Sequence, residues 1–253
     1  MHLTPVTFLI VCPMLFLAGF VDSIGGGGGL ISLPAYLLAG LPAHMAIATN
    51  KLSSSCGSAL TTVRFLRRGL VNLRLAIPSV FAALLGASIG ARLSLLVSED
   101  VLKIVLFIIL PIAAFFVLNR LLFRDYGDEK AVADRRTMIV CILSALLIGA
   151  YDGFYGPGTG TFLIIAFTVF ARMSVSAANA QAKVINLTSN LASLVVFLLN
   201  GQVLVLLGLV GAVFNMAGNY LGSGLALSKG TKIVRPIILG VLVLLLLKLI
   251  FNF

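Results

Sequence analysis

Two glycine-rich strings interrupt apolar stretches that are otherwise long enough to cross a bilayer. The first is the run of five glycines at residues 25–29, and the second places glycines at positions 156, 158 and 160. Because backbone exposed to lipid is costly, each interruption must be buried in protein or line a wet cavity. Glycine lets a ligand approach backbone N–H groups, and the helix that resumes at Leu30 would direct its N-terminus, which favours anions, at the break. A plain turn at a hairpin tip, or close helix packing, is the simpler alternative.

Two lysines, Lys51 and Lys183, lie about two turns inside predicted membrane spans. A charge at this depth costs at least ~2.5–3.5 kcal/mol on insertion scales, which makes each lysine a functional candidate. Snorkelling to the interface, or pairing with Asp22 and Asp152, is the alternative interpretation. The neighbouring polar side chains that could complete a ring of donors around an anion are Asn50, Ser54, Asn186 and Ser189.

An aspartate precedes each glycine string, Asp22 in the first half and Asp152 in the second. The sequence leaves three roles open: counter-ion to a lysine, proton carrier, or cap of the following helix. The predicted substrate site consists of Gly25, Gly26, Gly27, Gly28, Asn50, Lys51, Ser54, Gly156, Gly158, Lys183 and Asn186. No cofactor or metal site is predicted. No nucleophile–base motif such as Gly-x-Ser-x-Gly or His-Glu-x-x-His occurs, which argues against an enzyme.

The composition of the chain is that of a membrane protein. Of its 253 residues, 60% are apolar and only 10% are charged, against roughly 25% charged in an average soluble domain. Lipid is the natural solvent for so much apolar surface. The net charge of +10 would suggest nucleic acid in a soluble protein, but here the basic residues cluster in short loops between predicted helices. We therefore expect the partners to be the bilayer and a small anion, with possible proton coupling and no nucleic acid; the oligomeric state stays open.

About eight apolar segments follow from the ~20 residues that a spanning helix needs. The predicted single spans are residues 44–66, 74–97, 101–123, 176–199, 203–226 and 233–252. Two longer stretches, 5–39 and 137–171, are each broken by a glycine string. The predicted fold is an all-α polytopic membrane protein.

The two halves of the chain repeat one another. Asp22 and Lys51 match Asp152 and Lys183 at offsets of 130 and 132, and the second offset also relates Gly86 and Gly90 to Gly218 and Gly222. Glycines four residues apart favour close packing of helices. The predicted division is a first repeat at 1–123, a cytoplasmic linker at 124–136 and a second repeat at 137–253, each repeat a glycine-broken hairpin followed by three transmembrane helices.

The distribution of positive charge discriminates between two topologies. If each broken segment enters and leaves on one side, that side carries 13 lysines and arginines and the other carries 3; if each crosses once, the split is 10 against 6. The positive-inside rule favours the first arrangement. An odd number of spans per half then inverts the second repeat, places both termini outside the cytoplasm, and puts the substrate site between the repeats near the membrane midplane. The crossing model, with parallel repeats, is the alternative.

The residues around the glycines resemble a known family. The string GFVDSIGGGGGLISLP at residues 19–34, followed by ATNK at 48–51, resembles the sulfite exporter TauE/SafE family of membrane permeases. Residues 149–160 and Lys183 look like a weaker second copy, in which Tyr155 and Pro157 interrupt the glycines. The resemblance implies a transporter, usually an exporter, of sulfur-containing anions such as sulfite or sulfonates, in the cell (inner) membrane. Because the string in the first half is more complete than the one in the second, we expect Lys51 to contribute more to anion binding than Lys183.

Residues and resemblance together predict a secondary transporter of a small sulfur-containing anion. The anion would be bound by backbone amides of the glycine breaks and by the two lysines. A channel-like anion pore, or a permease for a non-sulfur anion, is the alternative.

The topology is testable with reporter fusions. We expect a reporter at the C-terminus to be non-cytoplasmic and one inserted within residues 125–134 to be cytoplasmic, because the basic loops stay inside. If both reporters prove to be cytoplasmic, the inverted topology is wrong and the crossing model is correct.

Overall fold

A computed structural model describes residues 4–98, 101, 133–229, 232, 233, 236, 237, 240 and 243. Over the continuous parts of these residues the regular structure is helical, without strands. The helices are α1 (Pro5–Gly25), α2 (Gly29–Leu38), α3 (Ala43–Arg67), α4 (Leu73–Ser94), α5 (Arg135–Phe154), α6 (Thr159–Val169), α7 (Val175–Leu199) and α8 (Val205–Lys229).

The helix bounds agree with the predicted spans to within a few residues. The two long stretches are each divided at their glycines, α1 from α2 and α5 from α6, as expected. Helix α5 begins at Arg135, inside the stretch taken as a linker, because Asp134 caps it by accepting the N–H of Thr137 at 2.7 Å. Hydrogen bonds from Thr137 also lower the pKa of Asp134. The spans predicted at 101–123 and 233–252 lie outside the described residues, apart from isolated positions.

Five of the described helices, α1, α4, α5, α7 and α8, are long and apolar enough to cross a bilayer. Helix α3 has 25 residues, enough for a span, but it carries a run of serines at 53–55, of which Ser53 and Ser55 are buried. Leucines, isoleucines and phenylalanines remain exposed along α4 and α8, such as Phe81 and Leu85 on α4. Lipid is the medium that suits such surfaces, so the chain is a multi-pass membrane protein.

Glycines allow close contact within two pairs of helices, and the two helices of each pair run parallel. On α8, Gly211 faces Leu15 of α1, and Gly218 lies against the backbone of Phe16. The second pair, α4 with α5, repeats this pattern, since Gly86 meets the carbonyl oxygen of Leu146. The Gly-xxx-Gly spacings therefore serve helix packing, as the sequence predicted.

Helix α3 occupies the centre and contacts two long helices in opposite senses. Its Thr49, Thr61 and Arg64 meet Leu204, Asn219 and Ser223 in ascending order, so α3 and α8 run parallel. Along α7 the order is reversed. Ser58 donates to Asn186 Oδ1 at 3.2 Å, and Thr62, one turn later, donates to the earlier Lys183 carbonyl at 3.2 Å. Helices α3 and α7 are therefore antiparallel.

The close helix contacts predict the effect of one added methyl group. A Cβ on Gly218 would collide with the carbonyl oxygen of Phe16, so Gly218→Ala must push α1 and α8 apart at a cost of about 1–3 kcal/mol. We expect a lower melting temperature for the purified protein in detergent.

Gly224→Ala, on the same helix, is the matched control. Its Cβ would meet Arg64 Nη2 at 3.4 Å, an ordinary contact, so its higher helix propensity is not opposed. Equal melting temperatures for the two variants would contradict this account of the α1–α8 contact.

Candidate functional site

The first glycine string forms a tight turn between α1 and α2. Helix α1 ends at Gly25, and Gly26 has a left-handed backbone with φ of 79°. The Gly26 N–H donates to the Asp22 carbonyl at 2.9 Å, and the chain re-enters a helix at Gly29. Glycine at 26 is required by this conformation.

The second string makes a related break between α5 and α6. Gly156 and Gly158 both have positive φ, at 97° and 81°. The Tyr151 hydroxyl donates to the Pro157 carbonyl at 2.7 Å and holds the turn against the end of α5. Helix α6 then begins at Thr159.

The two breaks touch each other. The Thr161 hydroxyl, in the first turn of α6, donates to the Gly25 carbonyl at 2.6 Å. Gly26 and Gly160 pack so closely that a Cβ on Gly26 would collide with the Gly160 backbone. Asn179 of α7 donates to the carbonyls of Ser23 and Ile24 at 3.3 and 3.1 Å, satisfying the end of α1. The backbone interruptions thus meet inside the protein, which confirms that they are buried.

Two ion pairs cross between the halves of the chain beside these breaks. Lys51 Nζ lies 2.9 Å from Asp152 Oδ1 and donates to the Asp152 carbonyl at 2.6 Å. Lys183 Nζ lies 2.7 Å from Asp22 Oδ2. Each lysine therefore pairs with the aspartate of the other half. Pairing had been one of the open interpretations; snorkelling is excluded because Lys51 and Lys183 are buried, at 2% and 0% relative exposure.

The two carboxylates differ in their further partners. Asp152 accepts from the Ser189 hydroxyl at 2.6 Å and from the Thr159 hydroxyl at 2.8 Å. Beyond Lys183, the one donor to the Asp22 carboxylate within the described part of the chain is the Gly28 N–H, at a long 3.4 Å. The side chain of Asp22 is 14% exposed, against 3% for that of Asp152.

The remaining predicted side chains do not form a single ring. Asn50 and Ser54 lie one turn apart on α3 and bond to each other at 3.3 Å. Asn186 on α7 accepts from Ser58 at 3.2 Å and from Asn190 at 3.2 Å. Asn50 and Asn186 are therefore close to Lys51 and Lys183 in sequence, but their side chains belong to two different hydrogen-bond networks.

Free backbone donors remain at the breaks. Among the described residues, the N–H groups of Gly27, Gly29 and Gly158 have no hydrogen-bond acceptor. Within the same part of the chain, no three His, Cys, Asp or Glu side chains cluster as metal ligands would.

Sequence reasoning missed several polar residues of the site. Thr159, Thr161 and Asn179 hold the breaks in place, and Asn215 and Asn219 form a buried amide pair at 2.9 Å where α8 meets α3. Asparagine in an apolar helix is a usable signal, because an unpaired amide in lipid is costly. The two threonines offered no such signal, since their hydroxyls can bond to their own helix.

Discontinuous helices whose broken ends meet between two halves of a membrane bundle, beside buried charges, are typical of secondary transporters. The fold and site therefore define a multi-pass membrane protein with a transporter-like centre. The family model described as sulfite exporter TauE/SafE matches residues 11–249. The chain belongs to the sulfite exporter TauE/SafE family.

Curated relatives agree over nearly the full length. "Probable membrane transporter protein ORF9" of Sinorhizobium sp is 39% identical over 236 residues, 93% of this chain and 89% of the relative. "Probable membrane transporter protein YfcA" of Escherichia coli (strain K12) is 35% identical over 250 residues, 98% and 91% of the two chains. A "Probable membrane transporter protein" of Haemophilus influenzae is 37% identical over 242 residues, 94% and 92%. These names indicate membrane transporters and not enzymes. No solved structure matches the chain significantly.

The contact between the breaks yields a prediction. Gly26→Ala adds left-handed strain, on the order of 1–2 kcal/mol, and a collision with Gly160. We expect the variant to insert in the membrane but to melt at a clearly lower temperature than wild type and to lose transport.

Gly40→Ala isolates the strain. Gly40 has a similar φ of 85°, but nothing lies within 4 Å of its Cβ position. If the two variants lose stability and transport equally, backbone conformation alone explains Gly26, and the contact between the breaks has no special role.

Proposed function

We propose that the protein is a secondary transporter that exports a small sulfur-containing anion such as sulfite or an organosulfonate. The observation that carries this proposal is the meeting of two helix breaks beside two crossed, buried ion pairs. Family membership supplies the sulfur chemistry and the direction, since the family model is named for sulfite export.

The anion is held where the breaks and the lysines lie together. The N–H groups of Gly27, Gly29 and Gly158, which have no acceptor among the described residues, supply neutral donors, and Lys51 and Lys183 supply charge. Oxyanions accept several such bonds at once, and a charged donor roughly doubles the strength of each. Gly27 and Gly158 are buried, and a ligand is one explanation for buried donors that lack acceptors, which are rare in folded proteins.

The repeats of this transporter are inverted. Helices α3 and α7, which match at the 132 offset, run antiparallel where they meet. Repeats related by a pseudo-twofold axis in the membrane plane have matching helices in this antiparallel orientation. Residues 1–123 and 137–253 form the repeats, and residues 124–136 are the cytoplasmic linker. The 13 to 3 division of basic residues supports both termini on the non-cytoplasmic face of the inner membrane.

Charge balance supports coupling to protons. With all four side chains ionised, Lys51, Lys183, Asp22 and Asp152 sum to zero. An entering anion leaves this buried cluster with an uncompensated negative charge, which is costly in a low-dielectric interior. A proton taken up by an aspartate restores neutrality.

A ligand screen tests the proposal. Sulfite or a small sulfonate at 100 times its dissociation constant should stabilise the purified protein by ~2.7 kcal/mol. We expect a raised melting temperature with one of these anions and less effect from acetate or chloride. A response to carboxylates alone would redirect the proposal to a non-sulfur anion.

Flux in proteoliposomes separates a carrier from a pore. A carrier gives saturable flux that responds to an imposed proton gradient, because each cycle binds a limited number of ions. Single-channel currents in a planar bilayer, with no proton dependence, would identify an anion channel instead.

A further inference from the structure

We infer that the two crossed ion pairs have different roles, and that Asp22 is a resident substitute for the transported anion. In this view Asp22 occupies Lys183 until the anion displaces it, whereas Lys51–Asp152 is a permanent tie between the halves. The inference rests on the proposed function and narrows it: of the two lysines, Lys183 alone is the cation that contacts the anion.

The Lys51–Asp152 pair is locked by extra donors. Asp152 accepts from Lys51, Thr159 and Ser189 at 2.6–2.9 Å, and Lys51 also donates to the Asp152 carbonyl. Both side chains are 3% exposed. An anion that displaced Asp152 would leave several buried groups without partners, which disfavours the exchange.

The matching positions around Asp22 have no hydroxyl. At the offset of 130, Thr159 corresponds to Gly29, and at 132, Ser189 corresponds to Gly57. Among the residues that the structure describes, Asp22 therefore keeps only Lys183 and the long bond from Gly28, with a side chain more exposed than that of Asp152. Fewer partners and more exposure make this carboxylate the easier one to displace.

The partners of Asp22 are also the donors that an anion requires. Its carboxylate oxygens accept from an ammonium, Lys183, and from an N–H of the glycine break, Gly28. The N–H groups of Gly27 and Gly29, on either side, have no acceptor among the described residues. Asp22 thus holds one negative charge against the donor set that would hold a sulfur oxyanion.

Binding of sulfite to full-length variants in detergent, measured by calorimetry, tests this division. Asp22→Asn is nearly isosteric and removes the competing charge, so we expect sulfite to bind at least fivefold more tightly. Thr159→Val removes one donor of the tie and a hydroxyl contact to the Gly156 carbonyl in the same break, while Asp22 and Lys183 keep their partners, so we expect a lower melting temperature and a sulfite affinity within threefold of wild type.

Two double variants remove one pair each without leaving an unpaired buried charge. Asp22→Asn with Lys183→Met should weaken sulfite binding at least tenfold more than Asp152→Asn with Lys51→Met. If the second double variant fails to fold, Ser189→Ala takes its place as the change that weakens the tie. We then expect the first double variant to bind sulfite at least tenfold more weakly than Ser189→Ala does.

The possible failures are distinguishable. Weaker sulfite binding in Asp22→Asn, or equal losses in the paired variants, overturns the division of roles and leaves the transporter proposal standing. A folded wild-type protein that binds neither sulfite nor methanesulfonate overturns the proposed function, and the inference with it.

Discussion

The pairing of each buried lysine with the aspartate of the opposite half is the constraint on which the centre of this protein depends. A buried ammonium or carboxylate without a counter-charge is costly in a low-dielectric interior, and here each half supplies the counter-charge for the other. Lys51 reaches the end of α5, and Lys183 reaches the end of α1. These two contacts join the halves with the two helix breaks face to face, which is where a substrate anion would find donors.

The glycines make that assembly possible in two distinct ways. At Gly26, Gly156 and Gly158 they permit a left-handed backbone, so a helix can stop and restart within a few residues. At Gly86 and Gly218 the backbone is ordinary, and the absence of a side chain lets neighbouring helices touch. Helices in lipid gain little from burying apolar side chains, so close backbone approach is a main source of their cohesion.

The sequence predicted the described helices and the two breaks well, because each depends on local pattern. Apolar stretches of about 20 residues located α3 as well as α1 and α8, and the glycines located the breaks. The crossed pairing was beyond such reasoning, since offsets relate Asp22 to Asp152 without saying which lysine each contacts. The fuller glycine string favoured Lys51 as the more important lysine; the hydrogen bonds around the carboxylates favour Lys183 as the exchangeable one.

In the proposed division of roles, positions that match between the two halves need not do the same work. A symmetric site with two equally labile ion pairs would expose four charges whenever it opened, whereas a site with one locked pair exposes two. Gly29 and Gly57 offer no hydroxyl to Asp22 at the matching positions, whereas Thr159 and Ser189 both donate to Asp152. The locked pair keeps the halves in register while the labile pair admits a ligand. A transporter has to move one half against the other without losing its core, and one locked pair beside one labile pair would meet both requirements.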